Sequence, residues 1–357
     1  AAAAALARRQ DLAHLPVFTT NMGKGSVDEH HPLSCGVLGA LNGPGSLGRH
    51  TRRLLDEADT VLLVGSRTNQ NGTDSWRLIP PGAKRIHIDI DPQEIGRNYE
   101  ALRLVGDAET TLDLLCSAIQ DRDLRARRRQ RSELEANIAA AWRQFEIDRC
   151  RVRDSNTSPI RPERIMKELQ SHLTPETIVV ADASYASMWI VGQLRGLQTG
   201  MRFITPRGLA GLGWGLPLAI GAKLAEPHHP VVAVVGDGGF AHSWAELETM
   251  ARSGIAVVVI VLNNGVLGYQ KDAETAKFGR FSSACHLGPV SHAEIAQACG
   301  CAAIRVTAPG ELATALGTAQ TAGRPWLIDV ISAADAHPPL SLYDGTLDRP
   351  ELVEPAM

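Results

Sequence analysis

Asp237 and Asn264 are the side chains whose types and spacing most directly suggest chemistry. Asp237 stands between glycines at the end of one apolar run, VVAVVG, and Asn264 closes another, IAVVVIVLN, 27 positions later. A strand, a crossover helix and a parallel strand take about 30 residues, and parallel sheets bind ligands outside the carboxyl ends of their strands. The spacing therefore predicts adjacent strands with the carboxylate and the amide on one rim. A carboxylate, an amide oxygen and the Val266 carbonyl are hard oxygen donors of the kind Mg2+ takes, with phosphate oxygens and water completing its octahedron. Gly236, Gly238 and Gly239 allow a sharp turn and let main-chain N–H groups approach an anion. A helix expected from Ser243 to Arg252 would add its positive dipole end. Either motif alone is compatible with a plain turn. The pair, each closing an apolar run, points to a cation that fastens a diphosphate to the rim.

The elements that must carry such a rim are legible as two α/β stretches. In the first, TVLLVGSR (60–67) and RIHIDIDP (85–92) read as buried strands, with a helix in RHTRRLLDEAD (49–59) leading into the former. Residues 121–145 are helix-prone and strongly charged; acids are interleaved in the stretch and its arginines lack aromatic neighbours, which marks a solvated connecting helix rather than a nucleic-acid surface. From Ser158 the pattern runs helix (162–171), strand TIVVAD, helix ASMWIVGQL, the glycine-rich RGLAGLGWGLPLAIGAKLA, strand VVAVVG, helix SWAELETMARSG, strand IAVVVIVLNN, a loop, helix SHAEIAQACG and strand WLIDVI. Apolar runs without alternation, such as 255–262, suit a parallel sheet covered on both faces. After Ser332 the chain turns polar and reads as a tail.

Composition narrows the partners. The 36 basic and 39 acidic residues of the 357-residue chain leave a formal charge of −3, which gives no reason to expect nucleic acid or an anionic membrane. No apolar stretch reaches the ~18 residues of a membrane span, and AAAAALARRQ lacks a signal-peptide pattern. Six cysteines (Cys35, Cys116, Cys150, Cys285, Cys299, Cys301) are too sparse for a disulfide framework and suit a reducing cytoplasm. Cys299 and Cys301 have no neighbouring pair or histidines to complete a zinc site. Trp189 and Trp214 read first as core packing, with pocket walls as the alternative.

The GDG opening and the NN close resemble the cofactor motif of the thiamine diphosphate enzymes of the acetolactate synthase, pyruvate decarboxylase and benzoylformate decarboxylase superfamily. LPVFTTNMGKGSVDEHHPLSCGVLG and AKRIHIDIDPQEIGRN are similar to that family's central domain, and RGLAGLGWGLPLAIGAKLA to the stretch before GDG in its diphosphate-binding domain. The resemblance runs from about Leu12 to Ile331. It implies two three-layer α/β domains with mainly parallel sheets: a central domain (1–121), a charged connecting helix (122–157), a thiamine diphosphate-binding domain (158–335) and a tail (336–357). It implies Asp237, Asn264 and Val266 as Mg2+ ligands, and Gly236, Gly238, Gly239 and Asn264 beside the diphosphate. DASYASMW matches a loop that contacts the same diphosphate, which brings in Tyr185 and Ala186. Ala210 would offer its carbonyl to the aminopyrimidine, and Leu212 would wedge the cofactor into a bent form, so that the amino group of one ring lies against the carbon acid of the other.

The resemblance further implies a cytoplasmic enzyme that forms or cleaves a C–C bond next to a carbonyl. Its substrates would be 2-keto acids or aldehydes, with no nucleic acid or membrane partner, and its assembly a homodimer or homotetramer. Family members begin with a domain that binds the pyrimidine ring and carries an activating glutamate. No catalytic residue is therefore expected within this chain, Glu29 is not nominated, and the chain is expected to be a fragment, inactive alone. A non-catalytic thiamine diphosphate- or adenine nucleotide-binding subunit is the alternative. Acetolactate synthases carry an arginine where Asn71 aligns and a tryptophan where Ala273 aligns, so the substrates stay open. The central domain is left open between holding FAD or ADP near Arg67, Asp89 and Asp91 and a purely structural role. GPGSLG (43–48) formally matches a dinucleotide fingerprint and would suit a nicotinamide-dependent dehydrogenase, but no clear strand precedes it and Pro44 occupies a turn position.

Overall fold

The structure is a computed structural model that describes residues 2–344, 347 and 351–353. It divides into two compact units, one of Ala1–Asp148, Arg195–Met201 and Pro339–Ser341, the other of Arg149–Leu194, Arg202–Pro338 and Leu342–Met357. Mixed α/β structure with parallel pairing fills both.

The first unit opens with helix α1 (Ala2–Leu12), then strands β1 (Val17–Thr19) and β2 (Ser34–Val37), which pair in parallel. Helix α2 (Leu47–Asp56) starts at Ser46, whose Oγ accepts the Arg49 N–H at 3.2 Å. GPGSLG is thus the entry and cap of a helix. Strands β3 (Thr60–Val64), β4 (Lys84–Asp89) and β5 (Leu102–Val105) form a parallel three-stranded sheet, and helix α3 (Ala108–Gln120) follows, capped by Asp107. Helix α4 (Arg125–Arg153) carries the boundary between the units.

Residues 195–201, which the sequence pattern assigns to the second domain, return to the first unit. Gly196 N–H donates to Glu29 Oε2 at 2.6 Å, and the Arg195 guanidinium lies 3.9 Å from the Trp142 ring centroid. Glu29 also holds Lys24 Nζ at 2.7 Å, both side chains being buried. Its carboxylate is thus used up inside the fold.

In the second unit, helix α5 (Pro162–Ser171) begins on a proline whose missing N–H costs nothing there. The order then runs β6 (Ile178–Ala181), α6 (Tyr185–Gln193), β7 (Phe203–Ile204), α7 (Gly215–Ala225), β8 (Val231–Gly236), α8 (Asp237–Phe240), α9 (Glu246–Arg252), β9 (Val258–Asn263), α10 (Gly268–Phe278), β10 (Arg280–Ser282), α11 (His292–Ala298), β11 (Ala302–Val306), α12 (Leu312–Thr321), β12 (Trp326–Ile331) and β13 (Glu351–Val353). Six strands make one parallel sheet in the order β11-β12-β9-β8-β6-β7, while β10 pairs with β13. The sheet interior is branched and apolar. Val180, Ala233, Val235, Val259, Val261 and Leu327 are buried against Leu216, Phe240, Leu247 and Met250, each such side chain stabilising the fold by roughly 1.5–3 kcal/mol when fully buried.

Three expectations change. The crossover helix begins at Glu246 rather than Ser243, because Asp237–Phe240 forms its own helical turn and 241–245 is spent on turns. The loop expected after Asn264 contains an 11-residue helix, α10, closed by Gly279 in the left-handed region (φ 69°). The stretch read as a tail falls in part outside the described residues, but Gly43 N–H bonds the Pro339 carbonyl at 3.0 Å, Ser341 N–H bonds the Ala40 carbonyl at 3.0 Å, and Tyr343 is buried. Among the described residues no helix is long and apolar enough to cross a membrane.

Candidate cofactor site at the rim of the second sheet

Strands β8 and β9 are parallel neighbours with Gly236 opposite Leu262. That register delivers Asp237 and Asn264 to one rim. Asp237 Oδ2 accepts the N–H groups of Asn264 (3.1 Å) and Gly265 (2.7 Å), and Oδ1 accepts that of Gly238 (2.9 Å). Asn264 Oδ1 accepts the Val266 N–H at 3.1 Å, which turns the loop directly after the strand end. Asp237 is buried, and burial pushes its carboxyl above the usual range while the three N–H bonds pull it back.

The two asparagines have different duties. Asn263 faces inward: its Nδ2 donates to the Val290 carbonyl (3.0 Å) and to Asp329 Oδ1 (2.9 Å). Asp329 Oδ2 in turn accepts the His292 N–H at 3.0 Å, so one amide ties β9, β12 and the start of α11 together. The sequence reading sets Asn264 at the rim but assigns Asn263 no duty of its own.

His292 carries a pH consequence. Its ring is buried against Phe240 and Trp244, and Nδ1 has no hydrogen-bond partner among the described residues. Burial lowers its pKa from the ordinary 6.5, against the opposing pull of Asp329 and with Arg305 in support. Because the unfolded chain takes up this proton first, the stability tied to the neutral ring is lost as pH falls from about 6.5 through the lowered folded value. The urea midpoint should therefore drop between pH 7.5 and 5.5, and His292→Gln should show a visibly smaller drop; parallel pH curves for the two proteins would refute this.

The glycines are placed by close approach. A Cβ on Gly239 would overlap Asp182 Oδ2, and one on Gly238 would fall 2.5 Å from Leu267 Cδ2. Gly236 ends β8 with open space beside it. Leu212 is 44% exposed, with Cδ2 3.6 Å from the place a Gly239 Cβ would take; Ala210 sits at φ 59° in the same loop. Trp189 is buried as expected of a core residue, but Trp214 is 43% exposed and leaves the core reading.

Asp182 is the residue that sequence reasoning passed over. It follows β6 directly and is buried. Its Oδ2 accepts the Gly213 N–H (3.0 Å), and its Oδ1 accepts those of Trp214 (3.1 Å) and Gly215 (3.3 Å). One carboxylate thus pins the whole glycine-rich turn over the GDG segment. The available signal was an acid at a strand end, the same signal that singled out Asp237.

Tyr185 opens α6, but its hydroxyl donates to Asp272 Oδ2 at 2.6 Å and its ring packs edge-on against Tyr269. The side chain is committed to the interior, which leaves the first main-chain N–H groups of α6, whose N-terminus no side chain caps, as what Tyr185 and Ala186 offer an anion. In the first unit, Asp89 and Asp91 accept the N–H groups of Asp91 and Gln93 within one turn, at 3.0 and 2.9 Å, and Arg67 lies 4.0 Å from Glu94.

The donors fit a small divalent cation with a diphosphate. Among the described residues no cluster of three or more His, Cys, Asp or Glu side chains is arranged for a metal. The rim instead offers one buried carboxylate with no cationic side chain against it among the described residues, an amide oxygen with a second lone pair, and a main-chain carbonyl at Val266. Gly238 and Gly239 leave no room for a side chain, and α6 offers an uncapped start, features that suit phosphate oxygens.

Comparison with known proteins adds to this geometry. Residues 1–115 match the thiamine pyrophosphate enzyme central domain, and residues 182–330 match the thiamine pyrophosphate enzyme C-terminal TPP binding domain. A probable acetolactate synthase large subunit of Methanocaldococcus jannaschii is 33% identical over 347 residues, 93% of this chain and 56% of that protein. An acetolactate synthase of Arthrospira platensis is 35% identical over 268 residues, 74% of this chain and 44% of its own length. The chain spans about half the length of the curated relatives it matches.

Proposed function

This chain belongs to the thiamine diphosphate-dependent enzyme superfamily, and on that premise we propose that it serves a Mg2+-dependent enzyme that forms or cleaves a C–C bond next to a carbonyl, with a 2-keto acid as donor. The observation that carries the reading is the meeting of Asp237 and Asn264 on adjacent strand ends, with Gly265 N–H 2.7 Å from the carboxylate and Gly238 and Gly239 beside it.

In this reading Asp237, the Asn264 amide oxygen and the Val266 carbonyl hold Mg2+. The turn at Gly236, Gly238 and Gly239 and the first N–H groups of α6, at Tyr185 and Ala186, receive the diphosphate. Bound thiamine diphosphate supplies a carbon nucleophile and an electron sink for the bond that breaks. The protein's share would be orientation and exclusion of water: Asp182 holds the loop that carries Ala210 and Leu212, whose carbonyl and side chain would face the bound cofactor and position its rings. A homodimer or homotetramer in the cytoplasm is part of the same proposal.

The test is a donor and acceptor screen of the full-length gene product, with product identification by mass spectrometry. We expect CO2 release from at least one 2-keto acid and a new C–C product with a second carbonyl compound, both lost on removing Mg2+ or thiamine diphosphate. Tight cofactor binding with no turnover of any donor would instead favour a non-catalytic binding subunit.

A further inference from the structure

Arg207 is a cation buried without an anion. It lies between β7 and the glycine-rich turn and is 7% exposed. Nη1 donates to Ser187 Oγ at 3.3 Å, and the buried Nε has no partner among the described residues. Ser187 is neutral, and its own hydroxyl donates to the Ser184 carbonyl at 2.9 Å. Among the described residues, the ionisable side chain that acts on the charge of Arg207 is Tyr269, with no carboxylate beside it. Asp272, on the same helix as Tyr269, is engaged by the Tyr185 hydroxyl. The buried cation of the first unit, Lys24, has its carboxylate at 2.7 Å.

Arginine cannot escape this cost by losing its proton, as a buried lysine can. An unpaired guanidinium inside a protein is costly, and its planar fork matches a carboxylate or phosphate in two parallel hydrogen bonds. An anion from outside the unit would complete the site. A diphosphate at the GDG rim already has N–H donors and the buried Asp237 to hold a bridging cation. The carboxylate of a 2-keto acid has no such partner there, since Asp182 and Asp237 would repel it.

We propose that Arg207 is the carboxylate-binding residue for a 2-keto acid substrate, its guanidinium beside Ser187 selecting the acid over aldehydes and ketones of the same length. This rests on the 2-keto acid reading above.

The test is calorimetric titration of the full-length gene product, saturated with Mg2+ and the non-reacting analogue thiamine thiazolone diphosphate, using pyruvate with acetone as the neutral comparator. We expect Arg207→Met to weaken pyruvate binding roughly tenfold or more, Arg207→Lys to retain part of it, and acetone to show no difference. Affinity for the analogue should stay the same in all three proteins, and Arg207→Met should melt no lower than the parent when unliganded, since it removes an unpaired charge. A lower melting point would mean a structural pairing and overturn the proposal. So would pyruvate binding that survives in Arg207→Met, which leaves the proposed function standing. Loss of the analogue with pyruvate retained would reassign Arg207 to the diphosphate. Parent protein that takes up neither compound would sink both the proposal and the reading beneath it.

Discussion

Asp237→Ala should weaken Mg2+-dependent thiamine diphosphate binding by ~100-fold or more, since losing even an indirect partner of a metal site costs 10–100-fold. Asp237 is the side-chain carboxylate that directly follows β8 at the strand end beside β9, and it is buried with no cationic side chain against it among the described residues. Without cofactor the substitution should change stability little, because two terms oppose each other. The fold is relieved of a carboxylate that burial disfavours, but the N–H groups of Gly238, Asn264 and Gly265 lose their acceptor. With ligand at 100 times its dissociation constant, the parent should gain about 2.7 kcal/mol, a rise in melting temperature absent from the variant. Thermal melts of both proteins with and without Mg2+ and cofactor decide the matter. An equal rise in the two would remove Asp237 from the site.

Asp182→Ala should have the opposite profile, a large loss of stability before any ligand is added. The carboxylate accepts N–H groups from Gly213, Trp214 and Gly215, residues 31, 32 and 33 positions away. A buried donor left without an acceptor costs about 1–3 kcal/mol. Since the turn can relax toward water, about 3–5 kcal/mol is expected rather than the full sum, or roughly 6–20 °C in melting temperature for a unit of this size. Asp182→Asn should fall between the two, because its amide oxygen can keep the bonds made by Oδ1 while its NH2 meets the Gly213 N–H donor to donor. Cofactor affinity should decline with stability, since the pinned turn carries Ala210 and Leu212. An unchanged melting point for Asp182→Ala would show that the turn holds itself.

Much of the rim was legible in the sequence because its geometry is local. Two apolar runs separated by one crossover usually form neighbouring parallel strands, and the residues after them then share an edge, so 27 positions of chain sufficed to place Asp237 and Asn264 on one rim. Helices such as α10 and α7 were hidden for the converse reason. Their residues are small, glycine-rich or mixed in polarity, so no helical stripe stands out, and packing supplies what periodicity does not.

By itself the sequence determined two α/β units with parallel sheets and an acid–amide pair on a common strand edge, since apolar period and crossover length follow from backbone geometry. Only the tertiary structure decided that Asn263 reaches inward to Asp329, that Asp182 rather than a loop-borne residue holds the glycine-rich turn, that 195–201 return to the first unit, and that Arg207 is buried without a carboxylate. Those outcomes depend on which polar group meets which across tens of residues. Such pairings are set by strand order and burial of the whole unit, and no short-range pattern of residue types records them.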